Sequence, residues 1–183
     1  MKVLILNGAR NPEGQTARAA EALAEGAREA GGEVEHVLLP PLAIERCRQC
    51  QADGWGICRT YGNCAIEDDF AGLAARIAEA DAVAFATPVY FSDLAESLRA
   101  FLDRLRRTCM HEAGKARIAG TPAVGVCVAG GGGGGAPECT MHLTKILSRC
   151  GFDCVDMVPV RRQNLEAKLP LLAQTGRWLA GER

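Results

Sequence analysis

Apolar positions in this chain fall alternately into short continuous runs and into stripes of helical period. Lys2-Val3-Leu4-Ile5-Leu6-Asn7 is a run of strand length, and Ala20, Leu23, Ala24 and Ala27 then follow i, i+3, i+4, i+7 spacing. That spacing predicts an amphipathic helix over about residues 16–30, closed by Gly31-Gly32. A second strand, Val34 to Leu39, stops at Pro40-Pro41, and a polar, cysteine-rich segment runs from about 44 to 69. Phe70, Leu73, Ala74 and Ile77 mark a helix with Asp68 or Asp69 as its cap, followed by a third strand, Ala82 to Ala86, ending at Thr87-Pro88. Asp93 and Glu96 have capping-box spacing and open a helix whose stripe is Leu94, Leu98, Phe101, Leu102 and Leu105. Residues 122–129 read as a fourth strand, running into six glycines, Gly130 to Gly135. Leu143, Ile146, Leu147 and Cys150 mark another helix, Cys154 to Val160 a fifth strand, and Leu165 to Ala180 a last helix that Pro170 should kink or restart.

Near-continuous apolar strands alternating with helices imply a parallel sheet covered on both faces. The expected fold is α/β and flavodoxin-like: a doubly wound, five-stranded parallel sheet of order 2-1-3-4-5, with helices on both faces. Ligands then sit beyond the carboxyl ends of strands 1, 3 and 4. With 183 residues the chain is most simply one domain, residues 1–183, with the cysteine-rich segment as an insertion loop. At that size it buries roughly 70% of the surface its unfolded form exposes. A formal net charge of −1 gives no electrostatic case for nucleic acid or an anionic membrane. No apolar run has bilayer-spanning length, and Met1-Lys2-Val3 leads straight into a strand, so a cytoplasmic location is expected.

The three strand ends expected to meet are also where the sequence is least ordinary. After strand 1 comes Gly8-Ala9-Arg10-Asn11-Pro12-Glu13-Gly14-Gln15-Thr16, a loop delivered to a helix N-terminus. Orphan N–H groups and a dipole of roughly half a positive charge make such a terminus an anion site. There is no P-loop lysine and no GxGxxG spacing, which argues against a nucleoside triphosphate or a Rossmann dinucleotide. After strand 3, Thr87-Pro88-Val89-Tyr90-Phe91-Ser92 places apolar and aromatic side chains at the rim of a sheet, a platform for a planar ring. After strand 4, Ala129 and Gly130 begin a tract whose missing side chains let backbone approach a ligand. Together these describe a flavin mononucleotide (FMN) site.

The same residues resemble the NADPH-dependent FMN reductases and, within them, the iron–sulfur flavoprotein branch. Asn7 to Thr16 matches a family loop of Gly-Ser-Pro-Arg-x-x-Gly-Asn-Thr type, with Ala9 in place of Ser and Gln15 in place of Asn. Glu67-Asp68-Asp69-Phe70 resembles the acidic entry to the second helix, and Thr87-Pro88-Val89-Tyr90-Phe91 is the best-matching stretch. The resemblance implies noncovalent FMN, reduced by NAD(P)H and reoxidised by a small-molecule or protein acceptor, in a homodimer or homotetramer. Ala9, Arg10, Asn11, Gly14, Gln15 and Thr16 would surround phosphate. Thr87, Pro88, Val89, Tyr90, Phe91 and Ser92, with Ala129 and Gly130, would hold the ring. Hydride chemistry belongs to the isoalloxazine, so no residue is assigned as catalytic acid or base.

Nine cysteines are many for a chain of this length. Cys47-x2-Cys50-x7-Cys58-x5-Cys64 crowds four into one polar loop, a set suited to a [4Fe–4S] cluster, to tetrahedral zinc or to free redox-active thiols. The iron–sulfur flavoproteins have a central gap of about two residues where this chain has Gln51 to Ile57. Cys127, Cys150 and Cys154 read as small core hydrophobes, and His36, His111 and His142 share no metal spacing. Arg99, Arg104, Arg106 and Arg107 read as the solvated face of their helix. Two alternatives to a reductase stay open: an FMN and iron–sulfur electron carrier between protein partners, or a metal-binding or redox-sensing protein without flavin turnover.

Overall fold

A computed structural model describes residues 1–181. The elements in chain order are β1 (Lys2–Asn7), α1 (Gln15–Glu29), β2 (Glu33–Leu38), α2 (Ile57–Tyr61), α3 (Asp69–Glu79) and β3 (Ala82–Tyr90). They continue with β4 (Asp93–Leu94), α4 (Glu96–Thr108), α5 (Glu112–Ala116), β5 (Pro122–Ala129), α6 (Ala136–Cys150), β6 (Asp153–Arg161) and α7 (Leu165–Gly181). The five long strands pair in parallel in the order β2-β1-β3-β5-β6. This is the expected arrangement, renumbered because the two-residue β4 folds back antiparallel on β3.

Strand alternation sorts the core onto two faces. Leu4, Leu6, Val83, Phe85 and Cys127 face α3, α4 and α6, where Phe70, Leu98, Phe101, Leu143 and Leu147 pack against them. Val3, Ile5, Ala82, Ala84, Ala86 and Val126 face α1 and α7. Alanines line both the sheet and α1 on that side, so α1 sits close to the strands and α7 close to α1. A Cβ at Gly176 would overlap the Leu23 carbonyl, and one at Gly26 the Ala173 carbonyl. Gly176→Ala is therefore expected to push α7 off α1 at a cost of about 1–3 kcal/mol. Each kcal/mol lowers the melting temperature by about 2–4 °C for a domain of this size, and an unchanged melting temperature would contradict the close approach.

Several local expectations need correction. Asp93 and Glu96 form no capping box: α4 begins after Ala95 without a side-chain cap. Asp93 lies instead in β4, where its carboxylate accepts from Leu94 N–H at 2.8 Å and pairs with Arg99. Helix α7 runs unbroken through Pro170 rather than restarting there. Of the two cap candidates on α3, Asp68 accepts the Phe70 N–H at 3.1 Å. Short helices α2 and α5 lack enough residues to show a period and were not legible in the sequence. No helix among the described residues is long and apolar enough to cross a membrane.

Candidate functional site

The loop after β1 is shaped by Asn7, which is fully buried. Its Oδ1 accepts the Ala9 N–H at 2.9 Å, while its Nδ2 lies 3.2 Å from His36 Nε2. His36 is held in turn by Glu21, 3.2 Å away. Gly8 N–H donates to the Ala86 carbonyl at 2.8 Å, tying the loop to β3. Asn11 accepts from Glu13 N–H through its side chain and from Gly14 N–H through its carbonyl, closing a tight turn onto α1. Gly14 offers no side-chain cap to α1, and the first turn carries no acid. The leading N–H groups of α1 thus face outward without an internal anion, the condition for binding an external one.

The β3–β4 hairpin forms the second wall. Thr87 is fully buried: its hydroxyl accepts from Ala95 N–H at 3.0 Å and donates to the Pro88 carbonyl at 2.9 Å. Phe91 and Ser92 both take positive φ, 49° and 63°, as the two centre residues of the hairpin turn. Neither is glycine, so the turn is strained, and strain of this kind is held in place by its surroundings. Here the restraint is the Asp93–Arg99 pair, with His142 Nδ1 3.5 Å from the same carboxylate. Arg99 holds the Asp93 carboxyl below the usual carboxylate range against the opposing effect of burial. The turn leaves Tyr90 half-exposed beside the sheet and throws Phe91 outward at 103% exposure.

Both walls and the glycine tract close around one cavity of about 610 Å³. Ala9, Arg10, Asn11, Gly14, Gln15 and Thr16 line one side, Pro88, Val89 and Tyr90 another, Ala129 and Gly130 a third. Its size falls within the range of small-ligand sites. Val128, Gly131 and Gly134 also line it and were missed: Val128 reads as strand core, and a run of identical glycines carries no signal of which one turns inward. Thr87, Phe91 and Ser92 are not in the wall. Thr87 braces the hairpin from beneath, and the turn geometry carries Phe91 and Ser92 past the rim.

The four loop cysteines lie elsewhere, around a second and smaller cavity. Cys47, Cys50, Cys58 and Cys64 all line it, together with Trp55, Arg104 and Arg107. Among the described residues no three His, Cys, Asp or Glu side chains gather closely enough to hold a metal ion. The free space between them is only about 20 Å³, one water's worth. A space of that size does not admit a four-iron cluster.

Arg104 overturns the solvated-face expectation for its helix, for its side chain is 1% exposed. Its two terminal nitrogens donate to Asp68 at 2.6 and 2.9 Å and to the Glu45 and Ile66 carbonyls. The guanidinium also stacks on Phe70, 4.2 Å from the ring centre. Burial opposes the Arg104 charge, but Asp68 and the Cys64 thiol outweigh it and raise its pKa. Arg107 stacks on Trp55 at 4.3 Å and donates to the Gly54 carbonyl. Cys127 and Cys150 are buried as expected, and Cys154 is partly buried beside Ser148.

An iron–sulfur flavoprotein of Methanocaldococcus jannaschii is 29% identical over 131 residues, covering 72% of this chain and 65% of that protein. One of Archaeoglobus fulgidus is 31% identical over 143 residues, 78% of this chain and 66% of the relative. The chain thus spans just under two thirds of the length of these relatives. Among solved structures, an NAD(P)H:quinone oxidoreductase from Methanothermobacter marburgensis superposes with a TM-score of 0.72 at 25% identity, over 100% of this chain and 98% of that one. The model of the NADPH-dependent FMN reductase family matches residues 1–167, and the chain belongs to that family.

Proposed function

We propose that this chain is an FMN-dependent NAD(P)H oxidoreductase. The observation that supports it best is that three turns far apart in sequence line one cavity of about 610 Å³, with an uncapped helix N-terminus at one end and Tyr90 at another. The leading amides of α1, with Arg10, Asn11, Gln15 and Thr16, would receive the phosphate. Pro88, Val89 and Tyr90 would receive the ring, and the bare backbone at Ala129 and Gly130 would let it approach closely. When bound, FMN supplies hydride acceptance from NAD(P)H and electron delivery to a second acceptor, a small molecule or a redox protein. The protein's part is to bind, orient and exclude water. Phe91, wholly exposed at the tip of the hairpin that lines the cavity, supports assembly as a homodimer or homotetramer in which a neighbour covers it. Nine free thiols support a reducing, cytoplasmic setting.

Purified protein loaded with FMN should lose its yellow absorbance when NADPH is added without oxygen, and recover it in air. A band that NADPH and NADH both leave intact would contradict the activity. Tyr90→Asp sets a charge against the ring and should weaken FMN binding at least tenfold; unchanged affinity would remove Tyr90 from the ring site.

One observation favours a second reading. The four cysteines lining a single cavity are the set that an iron–sulfur relay between FMN and protein partners would use, and such a centre requires a wider cavity than the one present. Iron and sulfide analysis of anaerobically prepared protein separates the two.

A further inference from the structure

A chain of polar groups runs from the loop after β1 to the edge of the sheet, and its hydrogens are fixed by elimination. Asn7 is fully buried, and the Ala9 N–H that reaches its side chain at 2.9 Å can only donate. The amide oxygen therefore faces Ala9 and the Nδ2 hydrogens face His36, whose Nε2 at 3.2 Å must accept. An imidazole that accepts at Nε2 is neutral and carries its hydrogen at Nδ1. That hydrogen meets Glu21 Oε2, 3.2 Å away. Arg28, 2.6 Å from Glu21, holds its carboxyl below the usual carboxylate range against the opposing effect of burial. Each group from Arg28 through Glu21, His36 and Asn7 to Ala9 thus has one allowed role, and only neutral His36 satisfies them all.

Other charges on the packed elements are turned elsewhere. On α1, Arg18 pairs with Glu166, Glu29 with Arg177, and Glu25 borders the groove beside α7. On β2, Glu35 points to the opposite face of the sheet, where Arg76 of α3 pairs with it at 2.7 Å. From β1 the ring meets the uncharged Asn7 amide. The His36 side chain is 19% exposed, so solvent protons reach it.

Protonation would reverse the role of Nε2. Its new hydrogen would meet the Asn7 Nδ2 hydrogens, donor against donor. Turning the Asn7 amide over relieves that contact but sets Nδ2 against the Ala9 N–H, which repeats the conflict nearer the cavity that Ala9 lines. Either way a buried donor is left unmet, and the loop loses the contact that aims it as it leaves β1.

We propose that His36 is a positioning residue for the FMN phosphate: neutral, it locks Asn7 and Ala9 in the binding shape, and protonated it releases them. This rests on the FMN reading of the large cavity and adds to it an affinity controlled by one proton, taken from solvent onto Nε2. Histidine is the side chain suited to that control, changing charge between about pH 5 and 8.

The test measures FMN and riboflavin affinity by fluorescence quenching on flavin-free protein at pH 8 and pH 5.5. The proteins are wild type, His36→Gln, His36→Leu and Glu21→Gln. Glutamine sets an amide oxygen where Nε2 stood, accepting from Asn7 without titrating; leucine offers no acceptor. At pH 8 His36→Leu should bind FMN about tenfold more weakly than wild type, and His36→Gln should recover most of that loss. Riboflavin, which lacks the phosphate, should bind all four proteins alike. A phosphate monoester itself gains a proton near about pH 6, equally for every protein, so the quantity compared is affinity relative to wild type. Between pH 8 and pH 5.5 wild type should lose about tenfold more FMN affinity than His36→Gln. Glu21→Gln keeps an acceptor for Nδ1–H but removes the charge that favours a second proton on the ring, so it should lose less than wild type.

Equal acid losses in wild type and His36→Gln overturn the proposal, as does wild-type FMN affinity in His36→Leu. A loss in His36→Leu shared equally by FMN and riboflavin assigns His36 to folding and overturns it too. Where the leucine variant does not fold, the acid losses of His36→Gln and Glu21→Gln decide alone. Wild type that binds riboflavin as tightly as FMN, or binds neither, overturns the FMN reading itself, and the proposal with it.

Discussion

Exchanging Gln15 for glutamate should weaken FMN binding about 100-fold while leaving the fold as stable as before or slightly more so. Gln15 is the first residue of α1 and lines the large cavity. Glutamate has the same shape, so packing is unchanged and only a charge is added. Toward the helix that charge is favourable, because the first turn of α1 has no acid and its N–H groups carry the positive end of the dipole. Such a placement is worth about 0.3–1 kcal/mol. Toward a bound phosphate it is repulsive: two unit charges 4 Å apart at an effective dielectric of 20 repel by about 4 kcal/mol. Exposure and salt reduce this, and about 2.8 kcal/mol remaining corresponds to 100-fold. Opposite signs for stability and affinity distinguish a phosphate site from a structural turn. Equal FMN affinity in Gln15→Glu, read by fluorescence titration, would place the phosphate elsewhere.

Asp68→Asn should destabilise the protein by about 3–5 kcal/mol, the expected cost of leaving a buried guanidinium without its counter-charge. Asparagine keeps an oxygen for the Phe70 N–H, so the cap on α3 survives, while the counter-charge and the acceptor for the Glu45 N–H are lost together. Arg104 cannot move to water, being fixed by the Glu45 and Ile66 carbonyls and by Phe70. Asp69→Asn is the comparison: its carboxylate accepts the Ala43 N–H at 2.7 Å near the surface, and its loss should cost less than about 1.5 kcal/mol. Denaturant unfolding measures both.

The same pair sets an acid dependence. Burial raises the Asp68 pKa, but Arg104 and the Glu45 and Phe70 amides outweigh it and lower the carboxyl below its ordinary 3.8. Its contribution is therefore complete above that value and fades as pH falls below 3.8 through the lowered folded-state pKa. Wild type and Asp68→Asn should converge in stability at low pH. A gap that persists unchanged there would contradict the ion pair.

The sheet was legible because its strands are continuous apolar runs and its helices keep clean stripes, so Lys2–Asn7, Ala82–Ala86 and the Leu98–Leu105 stripe leave little choice of topology. The cavity was legible for a related reason, since a doubly wound order brings three particular strand ends together. What was hidden depended on atoms far away in sequence. Arg104 stands at the edge of an apolar stripe, and it is buried only because the loop around Glu45 and Ile66, which has no period, folds over it. Phe91 reads as a platform residue by composition, yet a two-residue turn with positive φ at both positions aims it at solvent. Asp93 had the spacing of a cap, but strand pairing with Tyr90 claimed it first.

The most direct measurement compares FMN with riboflavin on flavin-free protein, by quenching of flavin fluorescence. Three turns gripping one molecule, with phosphate at the start of α1, predict that FMN binds at one per chain and that riboflavin binds at least 100-fold more weakly. Equal binding of the two, or no binding of either, would contradict it.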